Sequence, residues 1–287
     1  MSKKTLSFNK LHKKWSEIHK KQQEKILDKH KEALDHISQN SKQYAIGAVG
    51  GLMLLTNPVN LQISSGSPSG IQYEKLNKNV HLVSDLEPLI PDDYRNFTDE
   101  ENDQIADKLS DTFGMDIKYE IDNKRLNTTY GFIGAEQHLM RYPGDNEATH
   151  FQTPQEAEEF MSSGLAPGRG AWGYFANSAQ EMTQEDVDRE KYYIAVQTFL
   201  APDYLNRVGE YRDFFKYRKM LLVNPHNGKA IVVVIGDAGP AKWTGKHLGG
   251  SPEVMRHLER YDGGQKGQVL YYFIDDPENK VPLGPVE

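Results

Sequence analysis

The stretch KMLLVNPHNGKAIVVVIGDAGP, residues 219–240, decides the fold because it holds two strand-like runs and the turn between them. The runs KMLLV and AIVVVIGD are rich in aliphatic and β-branched residues, and they are apolar on both faces. The turn NPHNGK contains an Asn-Gly pair, which is typical of a hairpin. Strands with two apolar faces need cover on both sides. The sequence therefore predicts that this hairpin belongs to a closed or nearly closed β-barrel.

Two more runs of the same kind flank the hairpin. YYIAVQTF, residues 192–199, precedes it, and GQVLYYFIDD, residues 267–276, follows it. Turn-forming residues separate all four runs, which fits several short strands in one small barrel. We therefore predict an α+β protein with a C-terminal β-barrel over residues 190–287.

A spaced series of motifs around the hairpin resembles the double-psi β-barrel of the rare lipoprotein A and expansin type over about residues 190–280. The matching elements are Asn227-Gly228-Lys229, Asp237-Ala238-Gly239-Pro240, Gly245-Lys246, and Ser251-Pro252 at the start of a short helix. The resemblance implies a six-stranded double-psi-like barrel. It also implies a groove that binds polysaccharide, commonly the glycan of a cell wall, and in lytic members an Asp that acts as general acid.

The candidate catalytic residues are Asp237 and Glu253. Asp237 matches the Asp of the family's Asp-x-Gly-Pro motif, whereas the family's general acid falls on Gly249. The resemblance therefore favours binding over cleavage, with Glu253 as a displaced carboxyl group. Two other roles stay open: Asp237 as a turn-forming carboxylate, and Glu253 as a first-turn acid that complements the helix dipole.

Aromatic residues and hydrogen-bond donors near the motifs predict a sugar-binding surface, because a ring face stacks on a sugar and donors bind its hydroxyl groups. The candidate substrate-binding residues are Trp243, Thr244, Lys246 and His247 in one loop, and Trp172 and Tyr174 in the segment GAWGYF. The alternative is that these aromatic residues plug the barrel end or pack over the core.

A second concentration of chemistry lies in AEQHLMRYPGDNEATH, residues 135–150. His138 and Asp145 have the spacing of the first two zinc ligands in D-alanyl-D-alanine peptidases of the Ser-x-His-x-x-Gly-x-Ala-x-Asp type, and His150 is the nearest third ligand. The alternative is a polar loop held by Arg141 and Asp145. Our main prediction is a protein without a metal ion or cofactor. A metal site formed by His138, Asp145 and His150 is the alternative.

The middle region, residues 98–189, reads as mixed α/β, after a linker over residues 64–97 that contains SSGSPSG. Thr98 is a typical N-cap for the segment DEENDQIADKLSDTF, and Gly114 is a typical stop. The alternating segment MDIKYEI then predicts a strand.

The N-terminal part differs in charge from the rest. Residues 1–43 carry a net charge of +6 and leave −13 for the remainder of a chain whose total is −7. Their lysines surround a narrow apolar stripe, which predicts a basic amphipathic helix; the alternative is a solvated helix without a membrane role. Residues 44–63 contain the continuous apolar run YAIGAVGGLMLLT, which predicts a signal anchor or signal peptide with a cytoplasmic N-terminus. A buried core helix of a cytosolic protein is the alternative.

These features predict an exported or membrane-anchored cell-envelope protein that binds cell-wall glycan or peptidoglycan. If it is an enzyme, a lytic transglycosylase-like or glycoside hydrolase-like activity follows. The alternatives are a metal-dependent wall peptidase using His138 and Asp145, and a structural envelope protein. The charge of −13 argues against nucleic acid as a partner. The absence of cysteine excludes disulfide scaffolds and thiol enzymes.

Overall fold

The computed structural model describes residues 70–91, 93–260 and 267–286, without the side chains of residues 70–77. The helices of this part are α1 Gly70–Leu86, α2 Asp99–Phe113, α3 Glu147–His150, α4 Pro154–Phe160, α5 Gln184–Lys191, α6 Val208–Phe215 and α7 Pro252–His257. The strands are β1 Ile117–Lys118, β2 Glu120–Ile121, β3 Lys124–Arg125, β4 Tyr130–Ala135, β5 Tyr193–Val196, β6 Lys219–Val223, β7 Ala230–Ala238, β8 Leu248–Gly250, β9 Gly267–Ile274 and β10 Gly284–Pro285.

Strands β4 to β9 close into a six-stranded barrel, which confirms the predicted barrel architecture. Around the barrel the order is β4, β8, β5, β7, β6 and β9, and β9 pairs with β4 again. The pairs β4–β8 and β5–β7 are parallel, and the other four pairs are antiparallel. Strand β1 extends the sheet beside β9, and β10 pairs with β7.

The hairpin β6–β7 is buried on both faces, as its composition predicts. Met220 and Leu222 belong to one buried cluster, together with strand residues such as Ile133. The alternate residues Leu221 and Val223 belong to a second cluster. This second cluster includes Leu82 and Leu86 of α1 and Ile105 and Leu109 of α2. Helices α1 and α2 therefore cover the face of the hairpin that the first cluster leaves uncovered.

Helix α2 begins and ends where the sequence predicts. Thr98 forms a capping box with Glu101, and Gly114 ends the helix with a φ of 66°. A left-handed φ of this kind costs glycine little, which is why the residue serves as a helix stop. The segment predicted as one strand contains the short strands β1 and β2.

Two predicted segments differ from the structure in their extent. The sequence predicts a linker over residues 64–97, but residues 70–86 form α1, which docks through the buried Leu82 and Leu86. The barrel also takes β4 from residues 130–135, which lie before the predicted barrel start at residue 190. Strand β4 joins because it pairs with both β8 and β9.

The predicted basic helix over residues 1–43 and the signal anchor or signal peptide over residues 44–63 lie outside the described residues. Among the described helices, none combines the length and the apolar composition that a membrane span requires.

A buried ion pair ties the start of β6 to the end of β9. Lys219 Nζ lies 2.7 Å from Asp276 Oδ2, and both side chains are largely buried. Asp276 also accepts hydrogen bonds from the backbone N–H groups of Lys280 and Val281. Burial alone would raise the pKa of Asp276, but the Lys219 ammonium and these N–H groups outweigh it and hold the pKa below its ordinary value.

Replacing Asp276 with Ala should lower the free energy of unfolding by about 3–5 kcal/mol at pH 7, because it leaves the Lys219 charge buried without this partner. A lowered pKa stabilises the fold above the ordinary aspartate pKa of about 4, and this contribution is lost as the pH falls through the folded-state value. The difference between parent and variant should therefore shrink in acid. Urea denaturation over a pH series measures it.

Asp275→Ala is the matched control, because Asp275 pairs with Lys118 in a more exposed position. This pair should contribute about 1 kcal/mol or less. Equal losses in the two variants, or an Asp276→Ala loss that stays constant down to low pH, would contradict the prediction.

Candidate metal centre

Two histidines and one glutamate meet in the interior beside the barrel. His138, His150 and Glu190 each offer one ligand atom, and these atoms lie within 4.8 Å of one another. All three residues are buried, and His138 is only 1% exposed. Imidazole nitrogens and carboxylate oxygens are ligands that zinc and similar metal ions take in proteins.

The strand order explains why these residues meet. Strand β8 lies between β4 and β5, parallel to β4 and antiparallel to β5. The carboxyl ends of β4 and β8 and the amino end of β5 therefore share one edge of the barrel. His138 follows β4, and Glu190 lies in α5 just before β5. Glu253 follows β8 at the same edge.

Local interactions fix each of the two histidines. Backbone hydrogen bonds hold His138 in an extended segment, with its N–H donating to Gly164 and its carbonyl accepting from Ala166. His150 is the last residue of α3, which Asn146 caps. The Asn146 side chain accepts from the Ala148 N–H and so starts this short helix directly after Asp145.

Glu190 lies between the two imidazoles. Its Oε2 is 3.2 Å from His150 Nε2, and its Oε1 is 3.4 Å from His138 Nδ1. Oε1 also accepts a hydrogen bond of 2.8 Å from the backbone N–H of Leu139. Burial would raise the pKa of Glu190, but the neighbouring imidazoles outweigh it and hold the pKa well below its ordinary value. The carboxyl group is therefore ionised, as a metal ligand must be.

The imidazole of His138 has unmet hydrogen-bonding capacity. Within the described part of the chain, neither of its ring nitrogens meets the geometry of a hydrogen bond, although Nδ1 lies 3.4 Å from Glu190 Oε1. The ring lies 4.7 Å from that of His150, measured between centroids. Leaving a buried polar group unpaired costs about 1–3 kcal/mol. A metal ion between His138, His150 and Glu190 would remove this cost.

Asp145 lies behind His150 rather than beside the other ligand atoms. Its Oδ2 is 2.9 Å from His150 Nδ1 and accepts from Arg141 Nε at 3.0 Å. Burial alone would raise the pKa of Asp145, but His150 and Arg141 outweigh it and hold the pKa far below its ordinary value. Burial likewise would lower the pKa of His150, but Asp145 and Glu190 raise it to about 9.

This arrangement gives Asp145 a positioning function. A carboxylate that accepts the Nδ1 hydrogen of a histidine fixes the ring and leaves Nε2 for a metal ion. The sequence proposes Asp145 itself as a ligand, whereas the structure brings Glu190 next to the two histidines in its place. The predicted contact between Arg141 and Asp145 is present as well.

Glu253 lies against the same cluster. It lines a small cavity of about 10 Å³ that His138, His150 and Glu190 also line, and we call this the cluster cavity. The residue is 7% exposed, and its Oε2 has no hydrogen-bond partner among the described residues. Burial raises the pKa of Glu253 to about 7. A carboxyl group of this kind can exchange a proton with a reactant at the cluster.

The other sequence-predicted residues near the barrel do not join this cluster. Asp237 Oδ1 accepts from the backbone N–H groups of Ala171 and Ala238, so it ties two loops together. Trp172 packs on the core and donates its indole N–H to the Ile235 carbonyl. Tyr174 is partly buried.

The predicted sugar-binding loop presents one open aromatic face. Trp243 is 88% exposed. Thr244 donates to the carbonyl of Ala241. His247 is held by two neighbours: its Nδ1 accepts from the Phe132 N–H, and its Nε2 lies 2.8 Å from the Tyr94 hydroxyl group. Burial lowers the pKa of His247. Within this loop, Trp243 is thus the side chain most open to a ligand.

The position of Gly249 explains why no acid stands there. A Cβ atom added at Gly249 would lie 2.1 Å from Glu136 Oε1 and 2.3 Å from Glu136 Cγ. The Glu136 side chain therefore fills the space that a side chain at position 249 would take. Lys246 Nζ holds this carboxylate at 3.2 Å and also donates to the Ala135 carbonyl.

No sequence signal singles out Glu190, and the sequence places Glu136 in the segment of residues 135–150 without assigning it a role. Glu190 is 40 residues from His150 along the chain, and no spacing rule joins the two. One local signal is present. Glu190 lies near the C-terminal end of α5, whereas the helix dipole favours an acidic residue at the N-terminal end. Glu136 stands in the quoted segment next to His138, but its relation to Gly249 depends on the pairing of β4 with β8.

Comparison with known proteins gives no relative: no family model, no curated protein and no solved structure matches the chain.

Zinc added to chelator-treated protein should stabilise the fold. An ion that binds only the folded state contributes about 2.7 kcal/mol at 100 times its Kd. Thermal denaturation with and without zinc measures the gain, which should vanish in His150→Ala. The control is His226→Ala, which replaces an exposed histidine of the β6–β7 turn. The site is not a zinc site if zinc stabilises His150→Ala as much as the parent.

Proposed function

We propose that the protein is a metal-dependent hydrolase whose metal ion is held by His138, His150 and Glu190. The observation that carries this proposal is the buried cluster of these three side chains, in which neither ring nitrogen of His138 meets the geometry of a hydrogen bond among the described residues. A set of two histidines and one carboxylate suits zinc.

The ligand set supports catalysis rather than a purely structural role. Structural zinc sites are almost always closed by four protein ligands, whereas catalytic sites have three and keep a position for water. The cluster offers three ligand residues, and the nearby Glu253 is not one of them. A metal ion bound there would lower the pKa of its water and polarise the substrate carbonyl group.

Glu253 is the proton-transfer residue in this proposal. It lines the cluster cavity, and its Oε2 is unpaired among the described residues. In hydrolysis of an amide, the water oxygen bonds to the carbonyl carbon and the water proton passes to Glu253. The C–N bond then breaks, and Glu253 returns the proton to the leaving amine. General acid–base transfer of this type contributes about 10²–10⁴-fold in rate.

Asp145 and Arg141 position His150. Asp145 Oδ2 accepts from Arg141 Nε and lies 2.9 Å from His150 Nδ1, so it holds the His150 imidazole in one orientation. Arg141 also donates to the Thr149 carbonyl, which ties the loop before α3 to the helix end.

For the substrate we propose the peptide part of the cell wall. What supports this is the sequence, because a basic segment followed by the apolar run of residues 44–63 predicts export or membrane anchoring. Residues beyond about 64 would then face the wall.

Glu253→Gln should keep its metal and lose hydrolysis. The amide has nearly the same shape as the carboxyl group but cannot take the proton, so the rate should fall by at least about 10²-fold. Metal content is measured by elemental analysis of purified protein. Activity is measured by the release of free amino groups from purified peptidoglycan.

The matched control is Glu259→Gln, which changes a glutamate on the surface just after α7 that pairs with Lys229. It should match the parent in both assays. Parent protein without stoichiometric metal would disprove the metal centre. Unchanged activity in Glu253→Gln would disprove the proton-transfer role.

A second candidate function is glycan binding by the barrel, and the exposure of Trp243 favours it. The same proposal makes the barrel one of the double-psi type. Support comes from its six strands in mixed pairing and from the motif series around β7 and β8. An indole face this open can stack on a sugar ring.

Trp243→Ala should weaken binding to purified cell wall several-fold, since aromatic stacking contributes about 0.5–1.5 kcal/mol. Co-sedimentation with the wall measures this. The control is Leu205→Ala, which truncates an equally exposed apolar side chain at 86% exposure. Equal loss of binding in both variants would point to nonspecific adhesion instead.

A further inference from the structure

A short segment with few contacts to the rest of the protein covers the proposed metal centre. Helix α4 and the 3₁₀ turn after it, Pro154–Ser163, form what we call the roof segment. Together with Phe151 and Gln152, its residue Glu156 lines the cluster cavity. No residue of the roof segment is buried. The segment thus covers a buried site without belonging to the core.

Two side-chain ion pairs connect the roof segment to its surroundings. Glu156 Oε1 lies 2.7 Å from Lys191 Nζ, and Glu159 Oε1 lies 3.0 Å from Arg256 Nε. Both partners of the second pair are exposed, and such pairs contribute about 0–1 kcal/mol. Opening the roof segment would break these two ion pairs and the contact between the Phe160 and His138 rings, and of these the exposed Glu159–Arg256 pair contributes little.

Each end of the roof segment is fixed by a capping residue or a backbone hydrogen bond. Thr153 caps α4 at one end. Gly164 has a φ of 76° at the other end, and its carbonyl is fixed by the N–H of His138. The chain on the far side of Gly164 is held by the pairing of His138 with Leu165. A movement can thus be confined to the roof segment without displacing the metal ligands.

A large cavity lies on the other side of the roof segment. Its volume is about 500 Å³, whereas the cluster cavity has about 10 Å³. Pockets for small ligands measure about 300–1,000 Å³, so of these two cavities the larger one has room for a substrate. Phe160 lines it, with a ring centroid 6.4 Å from that of His138. Pro252 also lines it, directly before Glu253.

We propose that this large cavity is the substrate pocket of the metal centre and that the roof segment is a lid that opens to join the two. The proposal rests on the proposed hydrolase function and adds the entry route and the pocket. Closed, the lid keeps bulk water from His138 and Glu253. Open, it gives a substrate carbonyl group access to both.

The walls of the pocket fit a peptide chain. Hydrogen-bonding groups come from Gln137, Ser162 and Ser163, and apolar surface comes from Phe160 and Met255. The acidic groups of the walls are already neutralised by basic partners, Glu136 by Lys246 and Glu159 by Arg256. A neutral polar chain therefore suits these walls better than a polyanion or a polycation.

The lid is tested with zinc alone as the probe. The chain has no cysteine, so a pair introduced as Glu159→Cys and Arg256→Cys can be joined selectively by a short bismaleimide. The crosslink should slow zinc release to a chelator at least about tenfold, because exchange through local opening stops when the opening is blocked.

The matched control joins Lys229→Cys to Glu259→Cys, an ion pair of 2.7 Å away from the roof segment. Its crosslink should leave zinc release unchanged. If the crosslinked Glu159→Cys/Arg256→Cys protein releases zinc as fast as the same protein without the crosslink, the lid proposal is wrong. A parent that binds no zinc would instead overturn the proposed function, so the two failures are distinguishable.

The pocket is tested by filling it. Ser162→Cys labelled with a bulky maleimide should keep its zinc and lose at least about nine-tenths of its peptidoglycan hydrolysis, since the substrate is excluded. Leu205→Cys with the same label is the control and should retain full activity. Full activity in labelled Ser162→Cys would overturn the pocket assignment.

Discussion

The position of the three-residue strand β8 between β4 and β5 is the constraint on which the candidate site depends. Because β8 is parallel to β4 and antiparallel to β5, two strand ends and one strand start meet at one edge of the barrel. His138, Glu253 and Glu190 follow or precede those strands, so the barrel brings together residues that are up to 115 positions apart. Without the pairing of β8 with both β4 and β5, nothing would place them side by side.

The site is also an electrostatic compromise. Burial opposes the charges of Asp145, Glu190 and His150, and their mutual contacts offset that penalty. Removing one member of such a group leaves an uncompensated buried charge, which is costly. These three charged groups therefore stabilise one another only while all of them are present.

Local sequence signals predicted local structure well. The Asn-Gly turn and its two apolar runs predicted the β6–β7 hairpin, and Thr98 and Gly114 predicted the limits of α2. The sequence proposes His138 and His150 together as alternative metal ligands, because both lie in one segment, and the structure brings these two together. Glu190 was not predicted, because its approach depends on the order of the strands. Helix α1 was missed because SSGSPSG and the prolines around it favour a linker, whereas packing of Leu82 and Leu86 on α2 favours a helix.

The contact between Glu136 and Gly249 makes two positions of the chain interdependent. One carboxylate fits in that space, and it arrives from β4 rather than from β8. A side chain at 249 must displace that of Glu136, so substitutions at the two positions should be non-additive in stability. An acid placed on β8 at position 249 would therefore compete with Glu136 for the same space beside Lys246.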